Sequence, residues 1–421
     1  MNLLFGTESK TLPITKEMVK QAYRKVKSNH GSAGIDKESL EDFQADLSKN
    51  LYKLWNRLSS GSYFPHPLRE VEIPKASGGK RKLGIPTVSD RIAQEVVRAY
   101  LEPRLEAQFH TQSYGYRPLK SAHQAVKQVQ ENVRQYAWVI DMDIKSFFDE
   151  VDHELLMKAV GKHVEEKWVK MYISRWLESS VQTKTGTLIP KEGKGTPQGG
   201  VISPLLSNLY LHYALDKWLE LHYPQIAFVR YADDVVVHCE SEKEAINLLE
   251  QIRKRLDVCK LRLNESKTKL VYCKDYRRKE KKNYGNKFGF LGFDFKPMMF
   301  KSKREGEVVF LGYSCEMSQS ARTRIVDGWK KSYWHRRSEL TIEEISQEIN
   351  PQMRGLIRYF GAFNSTGMHK MVRMLHLRLV KWAMNKYKRF GKSYGKTFNW
   401  LRTIKESYPN LFYHWTVYNW I

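Results

Sequence analysis

Residues 228–239 read FVRYADDVVVHC, a run in which two adjacent carboxylates, Asp233 and Asp234, interrupt β-branched and aromatic residues. FVRY and VVVHC have the composition of strands, and the Ala-Asp between them that of a tight hairpin turn. Carboxylates so close raise one another's pKa unless a cation neutralises them. Binding a divalent metal against a phosphate-bearing substrate is one reason to keep such a pair. A surface turn in which Asp simply suits the geometry is the other.

A second acid-tipped strand tips the balance toward chemistry. Residues 137–144, AWVIDMDI, form an apolar run broken by Asp141 and Asp143. Two-metal phosphoryl transfer draws carboxylates from separate elements onto ions about 3.5–4 Å apart. Two such strands would otherwise bury or crowd unpaired charge.

The chain's charge points the same way. Lys and Arg number 71 against 46 Asp and Glu, a net charge of +25. The excess is concentrated: residues 271–304 carry a net +8 and residues 321–421 a net +13. The latter stretch also holds 18 aromatic residues. A basic surface interleaved with aromatics suits phosphate-backbone binding and base stacking. The plainer alternative is a solvated basic helical face with the aromatics in its core. The N-terminal MNLLFGTESKTLP lacks the layout of a signal peptide, and no run approaches the eighteen or so apolar residues of a membrane span. The four cysteines lie far apart without a Cys-x-x-Cys pair. That argues against structural zinc or disulfides and predicts a cytoplasmic protein, with a bacterial source favoured by the lack of a transit peptide.

At 421 residues two or three packed subdomains are expected. The periodicity predicts helices over 14–29, 37–60, 89–108, from Asp152, over 165–180, 204–221 and 242–259, and from about 320 onward. Strands are predicted at 69–75 and 80–85, joined by Ser77-Gly78-Gly79, and at 269–273. Residues 368–390 place Met368, Met371, Leu375, Leu379, Trp382 and Tyr387 on one side of a helix. A mixed body followed by an all-helical basic tail predicts an α+β fold with a helical appendage.

The segments form an ordered series with a specific resemblance. FVRYADDVVVHC resembles the Tyr-x-Asp-Asp motif of reverse transcriptases, and DMDIKSFFDEVDHELL (141–156) their first carboxylate motif. GKGTPQGGVISPLLSNLYL (193–211) resembles the motif that group II intron reverse transcriptases place between the two. KASGGKRKLGIPTVSDRIAQEVV (75–97) and SYGYRP (113–118) resemble their upstream fingers motifs. NESKTKL (264–270) and FLGFDF (290–295) resemble downstream palm motifs, and QMRGLIRYFGAFN (352–364) the thumb, or maturase, motif. PNLFYHW (409–415) is also similar to this family. The resemblance, to group II intron-encoded reverse transcriptase/maturases, covers nearly the whole chain.

It implies a right-hand polymerase, with fingers, an antiparallel palm sheet and an all-helical thumb: fingers and palm over 1–305, thumb or maturase domain over 306–421. It implies metal ligands Asp143, Asp233 and Asp234 with the Ile144 carbonyl, holding two Mg²⁺ (or Mn²⁺) ions. Asp141 competes with Asp143, since residues two apart on a strand face the same way. The family pattern favours Asp143, because an aromatic, Phe148, stands five positions later; Asp149 is then a turn or cap residue. Phe148 would exclude a 2′-OH. Lys75 and Arg81 would clamp the dNTP triphosphate, where Arg offers bidentate hydrogen bonds. Gln198 would sit against the incoming sugar and Lys267 near the leaving pyrophosphate. Tyr231 and Phe290-Leu291-Gly292 would hold the primer and template.

The implied partners are an RNA template, a DNA primer, dNTPs and a structured group II intron RNA, with no membrane. No nuclease-like module follows the thumb motif, so DNA-cutting activity of the chain's own is not expected. Two rival readings are a host-recruited relative in repair or defence, and an RNA-binding splicing cofactor with an inactive centre. The intact Asp143, Asp233 and Asp234 speak against the second.

Overall fold

The computed structural model describes residues 12–74, 79–278, 280, 282–301, 308–333 and 336–418. Its strands, in chain order, are β1 (Leu68–Pro74), β2 (Lys80–Ile85), β3 (Trp138–Asp143), β4 (Val181–Gln182), β5 (Leu188–Ile189), β6 (Ala227–Tyr231), β7 (Asp234–Cys239), β8 (Lys269–Tyr272), β9 (Phe288–Phe290), β10 (Phe293–Lys301) and β11 (Val309–Met317). The chain forms two units. One comprises 1–121, 142–237 and 246–268; the other comprises 122–141, 238–245 and 269–421. In the second of them β10 pairs with β11 along its whole length, from Phe293↔Met317 to Lys301↔Val309.

In the first unit, β1 and β2 form an antiparallel hairpin registered from Arg69↔Ile85 to Pro74↔Lys80. The sheet continues in the order β2-β1-β4-β5, with β4 parallel to β1. No strand was expected over 181–189, since these strands are two residues each and too short to carry a period. The helix Val88–Glu106 begins where expected. Thr87 caps it by accepting from Asp90 N at 3.0 Å, and buried Asp90 accepts in turn from the Tyr63 hydroxyl at 2.6 Å. The helix expected over 37–60 is two, Leu40–Ala45 and Leu47–Ser59, broken at Asp46. The helix expected over 204–221 is interrupted by a π-helical turn, His212–Asp216, between Ser203–Leu211 and Lys217–His222.

In the second unit, β3 pairs antiparallel with β8, from Trp138↔Tyr272 to Asp141↔Lys269. A three-stranded sheet has the order β11-β10-β9. Helices Gln319–Lys331, Ile342–Phe360, Thr366–Lys386 and Tyr394–Ser407 follow. Met368, Met371, Leu375, Leu379 and Trp382 are buried as the periodicity required, while Tyr387 is half-buried just beyond the helix end. Trp329, Phe360, Trp382, Phe390, Phe412 and Trp415 are core residues. Tyr333, Tyr394 and Tyr408 are exposed and open to base stacking, and Tyr359, Phe363, Phe398, Trp400 and Tyr413 are half-buried. All four cysteines are buried free thiols. Among the described residues no helix is long and apolar enough to cross a membrane.

Candidate active site

The Asp-Asp motif folds as a two-residue hairpin: β6 ends at Tyr231, Ala232 and Asp233 make the turn, and Asp234 opens β7. Ala232 takes φ +56°, a conformation that costs a non-glycine residue about 1 kcal/mol or more. Two interactions in the first unit hold it there. Fully buried Arg230 donates to the Ala232 carbonyl at 3.0 Å, to Asn208 Oδ1 at 2.9 Å and, through Nε, to Asp216 Oδ1 at 2.7 Å. Asp216 lies on the π-helical turn, a device often found at functional sites. The segment Ser113–Tyr116 packs on the turn as well, with Tyr114 N donating to Arg230 O at 2.8 Å. A Cβ on Gly115 would stand 2.4 Å from Ala232 N, so only glycine allows this approach.

Asp143 ends β3, and the backbone of residues 262–268 wraps around it. Its carbonyl accepts from Asn264 N at 2.7 Å and its N–H donates to Thr268 Oγ1 at 3.3 Å. Buried Ile144 bridges Leu263. Lys267 pairs with the Asp143 carboxylate at 3.3 and 3.4 Å. The acids sense each other. Desolvation, followed by repulsion from Asp233 and Asp143, pushes the Asp234 carboxyl up to about 6, with Lys267 opposing. Asp234 keeps solvent contact, so its desolvation comes from protein massed around it rather than full enclosure. Asp233 is raised as well, by burial first and Asp143 next, against its own backbone N–H, Arg81 and Arg230. Asp141, by contrast, stands opposite Lys269 in the β3–β8 register, an opposite-charge cross-strand pair.

Strand alternation separates the cations of the fingers hairpin. Lys80 and Lys82 share one face of β2 and are neutralised by Glu72 and Glu70 at 2.8 and 3.2 Å. Arg81 points the other way, donates to Gln198 Oε1, and lies 5.9 Å from the centre of the Phe148 ring. Gln198 Nε2 donates to Asp149 Oδ1 at 3.3 Å, which gives Asp149 a positioning contact beyond the turn expected from sequence. The loop carrying Gln198 is stapled on several sides. Gln198 O accepts from Gly84 N at 2.9 Å, Thr196 N donates to Phe148 O at 2.7 Å, and Val201 N donates to Gln94 Oε1 at 2.8 Å. Gly199, at φ +123°, leaves room for Gly84 O, 2.7 Å from where a Cβ would sit.

The first unit therefore brings together Asp143, Ile144, Asp233, Asp234 and Lys267, and beside one another Arg81, Phe148 and Gln198. Arg81 also acts on the Asp233 carboxyl. The Tyr231 ring lies 6.5 Å from that of Tyr116. Lys75 lies outside the described residues. Phe290, Leu291 and Gly292 belong to the second unit, where Leu291 and Gly292 form the β9–β10 turn. Among the described residues no group of three or more His, Cys, Asp or Glu side chains is gathered closely enough to hold an ion as it stands. The donor set is nevertheless apt for a hard cation: carboxylate oxygens whose mutual repulsion a divalent ion would relieve. Sequence reading missed Arg230, Asn208, Asp216 and Gly115. An arginine inside the apolar run FVRY was the available signal for the first; the others needed the tertiary contacts.

The family model described as Reverse transcriptase (RNA-dependent DNA polymerase) matches residues 73–315, and that described as Group II intron, maturase-specific domain matches 323–399. The chain is 34% identical to Protein YkfC of Escherichia coli (strain K12), over 62% of this chain and 78% of that protein. It is 27% identical to the Group II intron-encoded protein LtrA of Lactococcus lactis subsp. cremoris, over 87% of this chain and 72% of that protein. An uncharacterized 91 kDa protein in the cob intron of Schizosaccharomyces pombe is 34% identical over 49% of this chain and 25% of its own length. The first family model covers more than half of the chain, and the protein belongs to the reverse transcriptase family. It is an RNA-directed DNA polymerase with a maturase-specific region, and nucleic acid is its partner.

Proposed function

We propose that the chain extends a DNA primer on an RNA template, with fingers and palm within 1–305 and a thumb or maturase region within 306–421. The observation that carries the site assignment is the crowding of Asp234 by Asp233 and Asp143, which leaves an acid of pKa about 6 beside Lys267. Asp143, Asp233 and Asp234, with the Ile144 carbonyl, would hold two Mg²⁺ ions, or Mn²⁺. Bound there, the metals supply charge that lowers the pKa of the primer 3′-hydroxyl and offsets the charge on the departing pyrophosphate. Arg81, joined by Lys75, holds the triphosphate, and Gln198 fixes the sugar against Phe148, whose ring excludes a 2′-hydroxyl. Lys267 pairs with Asp143 and stands ready to give a proton to the leaving group. Tyr231 supports the primer end, and Phe290, Leu291 and Gly292 hold the primer strand.

The basic helices of residues 321–421 grip structured group II intron RNA through its phosphates and shape, which favours its folded, splicing-competent state and intron mobility. Support comes from the net +13 of that stretch and from the similarity to LtrA, whose name describes a group II intron-encoded protein. Primer extension on an RNA template with Mg²⁺ tests the polymerase site. Asp233→Ala should reduce extension at least a thousandfold, and equal extension by variant and wild type would overturn the assignment.

A further inference from the structure

The register of residues after Asp143 sets two more like charges against each other. The Ile144↔Leu263 bridge places Lys145 opposite Arg262, and Lys145 N donates to Arg262 O at 2.9 Å. Like charges directly across a ladder repel. Neither side chain makes an ion pair among the described residues, and both are exposed. Ser146 then turns away at φ +47°, in the left-handed region, and the ladder ends. Beside this step lies a cavity of about 870 Å³, lined in part by Lys145, Arg262, Lys194 and Lys260 together with the acids Glu150 and Asp257. Two of the cations are already paired: Lys194 with Glu150 of the same lining at 3.1 Å and Lys260 with Asp152 at 2.7 Å. Lys145 and Arg262 are left to face the cavity with Asp257 as the remaining acid.

We propose that this cavity is a pyrophosphate-binding groove through which the product of nucleotide transfer leaves. The proposal rests on the polymerase reading and deepens it. Lys145 stands two residues after Asp143, and Arg262 two before Asn264, whose N–H donates to Asp143 O at 2.7 Å, so the cavity they line opens beside the strand end that carries the acid. Lys267 stands on Asp143 itself at 3.3 Å. Lys267 thus serves the carboxylates, and Lys145 and Arg262 the cavity. A small, highly charged anion suits the place better than a nucleic-acid strand. Lys145 and Arg262 stand opposite each other at one step of the ladder, so one compact anion can bridge both, whereas a strand needs cations spaced along its length.

Calorimetric titration of the full chain with inorganic pyrophosphate, in EDTA so that no metal contributes, tests the groove. Wild type and Asp233→Asn should bind alike, because the groove does not use the catalytic acids. Lys145→Ala combined with Arg262→Ala should weaken binding at least tenfold, and Lys145→Arg should retain it, which separates lost charge from lost folding. Absence of binding by wild type, or equal affinity in the double variant, overturns the proposal. A double variant that binds primer–template duplex tenfold more weakly, with pyrophosphate affinity unchanged, also overturns it and assigns the cations to nucleic-acid phosphates. None of these titrations requires catalysis, so failed primer extension would count against the polymerase reading and not against the groove.

Discussion

Two hairpin turns in this protein solve the same backbone problem with opposite materials. Ala232-Asp233 joins β6 to β7 in the first unit, and Leu291-Gly292 joins β9 to β10 in the second. Each places a non-glycine residue at positive φ, +56° for Ala232 and +49° for Leu291. The first is held by charge: the fully buried Arg230 guanidinium reaches its carbonyl while paired with Asp216. The second is held by neutral groups. The Tyr359 hydroxyl donates to Leu291 O and Ser318 N to Gly292 O, both at 2.9 Å, among the rings of Phe293 and Phe360. A turn that must present two carboxylates needs a fixed buried cation close by. One that presents none can rest on aromatic packing.

Removing the buried cation should have the largest effect. Arg230→Ala strands Asp216 in the core and is expected to lower stability by about 3–5 kcal/mol in urea unfolding. Arg230→Met with Asp216→Leu should recover most of that loss. If the single substitution proves mild, charge is not what holds the first turn.

The second unit should reveal its intolerance of charge on acidification. His376 and His414 are buried with ring centroids 5.0 Å apart, and neither ring has a hydrogen-bond partner among the described residues. Burial pushes His376 down to about 4 and His414 well below its ordinary value. The unfolded chain therefore binds more protons below about 6.5, and stability falls as pH drops from there toward 4. For His376 alone the loss at pH 5 is on the order of 2 kcal/mol. His376→Phe should flatten the pH dependence of the urea midpoint; an unchanged profile would refute the account.

Smaller effects refine the contrast. Tyr359→Phe deletes one neutral hydrogen bond and should lower stability by about 1 kcal/mol. Asp234→Asn should stabilise the metal-free protein at neutral pH, by less than about 1 kcal/mol once solvent screening is allowed for. The sign follows from a folded pKa of about 6 against 3.8: the folded state holds its proton more tightly, so stability falls as pH rises through that window. The gain should vanish below pH 4 or so, and a loss of stability at pH 8 would contradict the repulsion.

The fold was legible wherever a local pattern governed. The β6–β7 hairpin, the Thr87 cap and the buried face of residues 368–382 all follow from period, turn composition and capping chemistry. The catalytic candidates were legible as well, because acids at the ends of apolar strands are conspicuous. The π-helical turn and strand β4 were not, since Asp216 answers to Arg230 and β4 to β1, both distant in the chain; β5 and the break at Asp46 are too short to show in a periodic pattern. The aromatics of the C-terminal region were ambiguous because composition counts rings but does not say which way they face, and the described ones divide among buried, half-buried and exposed positions.

What the sequence by itself determined is the set of charges that needed company: Asp233 with Asp234, Asp143, and the basic C-terminal stretch. Periodicity and motif order are local properties, and they survive in a linear string. Only the tertiary structure decided who keeps that company. Lys267 stands on Asp143, Arg81 turns to Gln198 while its neighbours Lys80 and Lys82 are neutralised, and Arg230 crosses to Asp216 and Asn208. Electrostatic partners are chosen by distance and by the direction in which each strand face points, and both are fixed only when the chain has folded.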